Sequence, residues 1–217
     1  MKRVILLLAG LSAMGMSSSQ AAIVGVETQP VSQSLLPGYT VLDVMIDFTD
    51  ILRSQEMILT LSSGEVYQDP VGGSLPPNEA FLPFFPTFEF DTFVALGGAT
   101  QQTSYPTVDA GLFAADIDMN STYQFDTAGL NITWFALPGT DIPGQNDFMT
   151  ARITLTNDAV GTLYYRGTTD GDDPNDVQVF ELPVSGVPEP SSVLLACLAI
   201  VAVGYCRVKC VFSQPKL

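Results

Sequence analysis

Residues 40–48 read TVLDVMIDF, and the fold turns on how that stretch is read. Leu42, Val44, Ile46 and Phe48 fall at every second position, with Asp43 and Asp47 between them. Successive side chains of an extended chain point to opposite faces, so period two gives one apolar face and one acidic face. The stretch is therefore expected to be a strand half-buried against a core.

The same alternation recurs along the chain. LNITWFA (130–136) sets Leu130, Ile132 and Trp134 against Asn131 and Thr133. TARITLT (150–156) sets Ala151, Ile153 and Leu155 against Thr150, Arg152, Thr154 and Thr156. FEFDTFVAL (88–96) places Phe88, Phe90, Val94 and Leu96 together, opposed by Glu89 and Asp91. Shorter candidates are MILTLSS, GEVYQ, STYQF, GTLYYR and VQVFEL. Between them lie stretches rich in Pro, Gly, Asn and Asp, such as DPVGGSLPPNE, LPGTDIPGQND and TTDGDDPND, which carry turn chemistry. Short strands rich in aromatic and β-branched residues predict two packed antiparallel sheets, an all-β sandwich of jelly-roll or immunoglobulin-like type. One segment, Thr49–Gln55, is a candidate short helix.

The two ends have a different character. Lys2 and Arg3 precede the apolar run Val4–Ala9, and Ser19 and Ala21 stand at the −3 and −1 places of a cleavage site. Residues 1–21 thus read as a secretory signal peptide. The ectodomain is expected over 22–183, followed by a Pro/Ser linker at 184–192, an apolar segment at 193–206 and a basic tail at 207–217. As a helix, 193–206 covers about 21 Å against a hydrocarbon core of roughly 30 Å. It is a short transmembrane span, with Arg207 and Lys209 placed to reach the cytoplasmic surface.

Between Ala22 and Gly186 there are 22 acidic residues and three cations, Arg53, Arg152 and Arg166, a formal charge of −19. Phosphate binding needs a basic footprint, so nucleic acid is not an expected partner. All three cysteines, Cys197, Cys206 and Cys210, lie in the C-terminal segment, so the ectodomain holds no disulfide. A domain of this size buries enough core without one.

Val187-Pro188-Glu189-Pro190-Ser191, then an apolar run, then Arg207 and Lys209, resembles the PEP-CTERM sorting signal of bacterial exported proteins. In that family the Pro-Glu-Pro element is recognised by a membrane enzyme called exosortase, and its substrates are typically surface or exopolysaccharide-associated. The element also occurs under an ice-binding label, which belongs to the tail. The resemblance covers Val187 to Lys209 and implies an exosortase-like enzyme, the membrane and exopolysaccharide as partners. The family usually ends in a compact basic cluster, whereas here the two cations are spaced and eight residues follow Lys209.

The ectodomain lacks His, Cys and Lys, which removes Ser-His-Asp, Cys-His and Ser-Lys nucleophiles and the usual zinc ligands. Paired carboxylates, as in glycoside hydrolysis, are the remaining chemistry. No catalytic residue is assigned, and the expected function is a noncatalytic cell-surface or matrix protein. The alternatives are a carbohydrate- or ice-binding module and a carboxylate-based surface hydrolase.

Calcium is the one cofactor with candidate ligands: Asp170, Asp172, Asp173, Asn175 and Asp176 crowd one turn, which reads better as a solvated acidic turn between two strands. Asp116, Asp118 and Asn120 open like an EF-hand loop, but Ser121 and Thr127 break the pattern. Among aromatics, Phe81, Phe84, Phe85, Phe88 and Phe90 read better as core than as a binding rim. Tyr67, Tyr164 and Tyr165 are the candidates for stacking on sugar, with Tyr164 and Tyr165 facing opposite sides of a strand.

Overall fold

The computed structural model describes residues 23–111, 123–171, 177 and 179–186. The segments expected to be a signal peptide (1–21), a sorting motif (Val187–Ser191) and an apolar span (193–206), with Arg207 and Lys209, lie outside the described residues. Among the described residues no helix is long and apolar enough to cross a membrane.

The described residues form ten strands: β1 (Ile23–Val31), β2 (Tyr39–Phe48), β3 (Leu52–Ser63), β4 (Phe93–Val94), β5 (Thr107–Gly111), β6 (Gln124–Asp126), β7 (Gly129–Ala136), β8 (Gln145–Thr156), β9 (Val160–Thr169) and β10 (Phe180–Ser185). Two short 3₁₀ turns, Glu79–Phe81 and Pro86–Phe90, precede β4. The strands form two antiparallel sheets: a four-stranded one in the order β1-β2-β8-β4, and a six-stranded one in the order β10-β9-β3-β7-β5, with β6 also pairing β7.

The alternation predicted for residues 40–48 holds. Leu42, Val44, Ile46 and Phe48 join Ala151, Ile153 and Leu155 from the first sheet and Leu130, Ile132 and Trp134 from the second in one shared core. Each buried Val, Leu, Ile or Phe side chain among them contributes about 1.5–3 kcal/mol relative to exposure. The arrangement is sandwich-like. The Trp134 indole N–H donates to the Ala95 carbonyl at 3.1 Å, so burial leaves its polar atom satisfied. The Tyr165 hydroxyl, whose pKa is raised by burial, donates to Gln55 Oε1 at 2.8 Å. Thr150 reaches the same oxygen from the opposite sheet. Thr150 was expected opposite Ala151; a bulge where Val44 and Met45 face Ala151 and Met149 turns it inward instead.

Three expectations need correction. The stretch 88–96 is not one strand: Pro86 opens a 3₁₀ turn through Phe90, and only Phe93–Val94 pair with β8. Pro at the first helical position suits such a turn because its missing N–H has no partner there anyway. Thr49–Gln55 is not helical, since β3 begins at Leu52. GEVYQ contributes a single bridge, Val66 to Leu155. The strand IVGVETQPV (β1) alternates poorly and was not foreseen; its Pro30 is tolerated because β1 is an edge strand. β10 carries the folded chain two residues beyond Pro183, to Ser185.

After β3 the chain changes sheets at Gly64, where φ is +76° and a Cβ would fall 2.4 Å from the Ala159 Cα. It then runs along the four-stranded sheet. There Phe90 packs with Leu36 and Val41, and Phe93 and Ala95 pack with Met149. These contacts lie on the side of β2 and β8 away from the shared core. The outward face of the four-stranded sheet is thus covered by its own chain.

Candidate functional site

The outward face of the six-stranded sheet is different. Strand register lines up two rows across β7, β3 and β9: Phe135, Ser54 and Thr168 in one, Thr133, Glu56 and Arg166 in the next. Adjacent strands lie about 4.8 Å apart, so each row spans roughly 10 Å. The rows floor a cleft of about 630 Å³, walled by the turn Leu137–Thr140 and by Val177.

Glu56 and Arg166 form the centre. Arg166 Nε donates to Glu56 Oε2 at 2.6 Å, with the Glu56 side chain buried and that of Arg166 21% exposed. Among the described residues nothing accepts from the two terminal nitrogens of Arg166. Ser54 and Thr168 share a hydroxyl–hydroxyl bond of 2.6 Å. Thr133 is only 6% exposed and lines the cleft, and no hydrogen bond joins its hydroxyl to another described residue. A polar ligand in the cleft would replace water on that hydroxyl with a hydrogen bond of its own, worth about 0.5–1.5 kcal/mol.

Arg53 stands at the rim of the same cleft. Its Nη2 donates to Asp170 Oδ2 at 2.5 Å, its Nε to Asp170 Oδ1, and its Nη1 to Asp141 Oδ1 at 3.0 Å. The Asp170 carboxyl is held below its ordinary range by this guanidinium. Of the five candidate calcium ligands, Asp170 is thus clasped by an arginine. Asp172, Asp173, Asn175 and Asp176 lie outside the described residues, as do Asp116, Asp118 and Asn120. Among the described residues no three acidic groups gather as a metal-binding cluster.

Two carboxylates do meet elsewhere. The Asp69 N–H donates to Asp91 Oδ1 at 2.7 Å, and the Asp69 carboxylate accepts from Thr87 and Tyr67 hydroxyls at 2.9 and 3.1 Å. Burial pushes the Asp91 carboxyl up to about 7, despite N–H donors from Asp69 and Thr92. Yet Asp91 is 1% exposed, and its Oδ2 lies 1.7 Å from where a Cβ on Gly72 would sit. A general acid must reach a proton acceptor on its substrate, and this carboxyl is sealed behind backbone.

The aromatic candidates divide. Phe88 and Phe90 are buried, as expected, whereas Phe81, Phe84 and Phe85 are exposed; Phe81 and Phe85 line a second hollow of about 460 Å³. Tyr165 points into the core and Tyr164 outward, as their adjacency requires. Tyr67 packs edge-on against Tyr39 with ring centres 5.2 Å apart. None of the three tyrosines lines the 630 Å³ cleft. Sequence reasoning named Arg53, Arg166, Asn131 and Thr133 by charge or face, but the cleft needs pairings between strands more than a hundred residues apart, as Glu56–Arg166 shows.

No family model matches the chain, and no curated protein matches it.

Proposed function

We propose that this chain is an exported, noncatalytic protein of the cell surface or extracellular matrix, delivered by its C-terminal sorting element. The observation that carries the reading is the order Val187-Pro188-Glu189-Pro190-Ser191, apolar run, Arg207 and Lys209, on a chain that opens with a signal-like segment. An exosortase-like enzyme engages the Pro-Glu-Pro element while the apolar run holds the chain at the membrane. The two sheets around one core form a β-sandwich of jelly-roll or immunoglobulin type.

Two observations support a noncatalytic domain. The ectodomain has no His, Cys or Lys to serve as base or nucleophile. Among the described residues Glu56 is the sole carboxylate lining the cleft and is tied to Arg166, whereas glycoside hydrolysis uses two carboxyls about 5–9.5 Å apart. The test replaces Pro188, Glu189 and Pro190 with alanine in the native cells. The native chain is expected to reach the surface with a C-terminus near Pro190 by intact mass. The variant is expected to stay in the membrane fraction with its tail through Leu217. Identical mass and location for both chains would overturn the sorting role.

A further inference from the structure

We propose that the cleft on the outward face of the six-stranded sheet binds a neutral oligosaccharide. This deepens the reading of a noncatalytic surface protein and rests on it. The cleft is of ligand size: about 630 Å³ equals roughly twenty water volumes, the scale of two linked hexose rings.

Its chemistry is two-sided. The floor offers fixed polar groups: the terminal N–H groups of Arg166 and the Thr133 hydroxyl, neither bonded to another described residue, and the Ser54–Thr168 hydroxyl pair with capacity to spare. One wall is apolar, with Phe135 and the exposed Leu137 and Pro138 placed to cover the C–H face of a sugar ring. An apolar ligand would strip water from these donors without replacing its hydrogen bonds, at about 1–3 kcal/mol for each group left unsatisfied.

Charge decides between neutral and acidic sugars. Two of the three ectodomain arginines line this cleft, yet Arg166 is matched by Glu56 and Arg53 by Asp141 and Asp170. Among the described residues, two cations against three carboxylates leave the site one charge negative, within a domain of formal charge −19. A uronate would meet that field, whereas hydroxyls accept from Arg166 without displacing Glu56.

The test is calorimetric titration of the full-length chain, in a sugar-free detergent, with cellohexaose, laminarihexaose, maltohexaose and hexagalacturonate. Saturable binding of at least one neutral hexamer is expected, with no stronger binding of the galacturonate. Thr133→Val should weaken that binding about fivefold, the loss of one hydrogen bond. Leu137→Ala, at an exposed position, should weaken it about threefold without changing Tm. No binding of any neutral hexamer, tighter binding of hexagalacturonate, or unchanged affinity in both variants would each overturn the site. Those outcomes leave the surface-protein reading standing. Release of shorter sugars, read by mass spectrometry of the same samples, would instead overturn the noncatalytic reading.

Discussion

Arg152 and Arg166 sit on the outward faces of the two sheets, and their surroundings could hardly differ more. Arg152 holds Asp43 through two bonds of 2.7 and 2.9 Å, donates to the Glu89 carbonyl at 2.8 Å and lies over the Phe93 ring at 5.6 Å. Its chain-mates from Pro86 to Val94 close over it. Arg166 makes one described bond, to Glu56, and turns the rest of its guanidinium to a cleft. Burial alone does not separate the two faces, because both hold buried polar residues. Among the described residues, what separates the arginines is how much of their hydrogen bonding other side chains and backbone complete. A completed outward face is architecture, and an incomplete one is a place for a ligand.

The largest effect should come from opening the completed face. Arg152→Met leaves Asp43 and the Glu89 carbonyl without their donor, and is expected to cost about 3–5 kcal/mol in denaturant unfolding. A loss under 1 kcal/mol would show that the cover does not depend on the pair.

Next comes a pH dependence seated in the cover. The folded Asp91 carboxyl, raised to about 7, keeps its proton while an unfolded one ionises near 3.8. Between those values the folded state binds more protons than the unfolded state, so stability falls as pH rises from about 4 to about 7. The contribution lost is roughly 4 kcal/mol at 1.36 kcal/mol per pH unit. Asp91→Asn keeps an acceptor for the Asp69 and Thr92 N–H groups and removes the titration. Its stability relative to wild type should therefore climb across that window and then level off. A parallel pair of pH curves would contradict this.

A matched pair of threonines sharpens the comparison at smaller cost. Thr154 on the covered face donates to the Phe90 carbonyl at 2.6 Å, and Thr133 on the cleft face bonds to nothing described. Thr154→Val should cost about 1–3 kcal/mol. Thr133→Val should be close to neutral by thermal unfolding, since its hydroxyl bonds to no other described residue. Equal losses would erase the distinction between the faces.

The sheets themselves were legible in sequence wherever one face met the core and the other did not. Leu42 to Phe48 and Leu130 to Trp134 alternate for that reason, and both lie as predicted. The alternation misled where both sides of a segment are covered. Phe88, Phe90 and Asp91 mimic a strand, yet Pro86 sets a 3₁₀ turn and the apolar rings close the outside of the four-stranded sheet. Asp91 was read as outward because carboxylates rarely bury, and its two N–H donors come from backbone that no local pattern announces. The cleft was illegible for a related reason. Asn131 and Thr133 were correctly placed away from the core, but their burial depends on what the fold brings around them. The three arginines stood out by scarcity, while their partners lie 109, 110 and 117 residues away.

The most direct measurement is amide chemical-shift mapping of the full-length chain during titration with the neutral hexasaccharide that binds it. The account predicts shifts at Ser54, Glu56, Thr133, Arg166 and Thr168, with Asp43, Arg152 and Thr154 unmoved. Shifts confined to the four-stranded sheet, or scattered evenly over both, would contradict it.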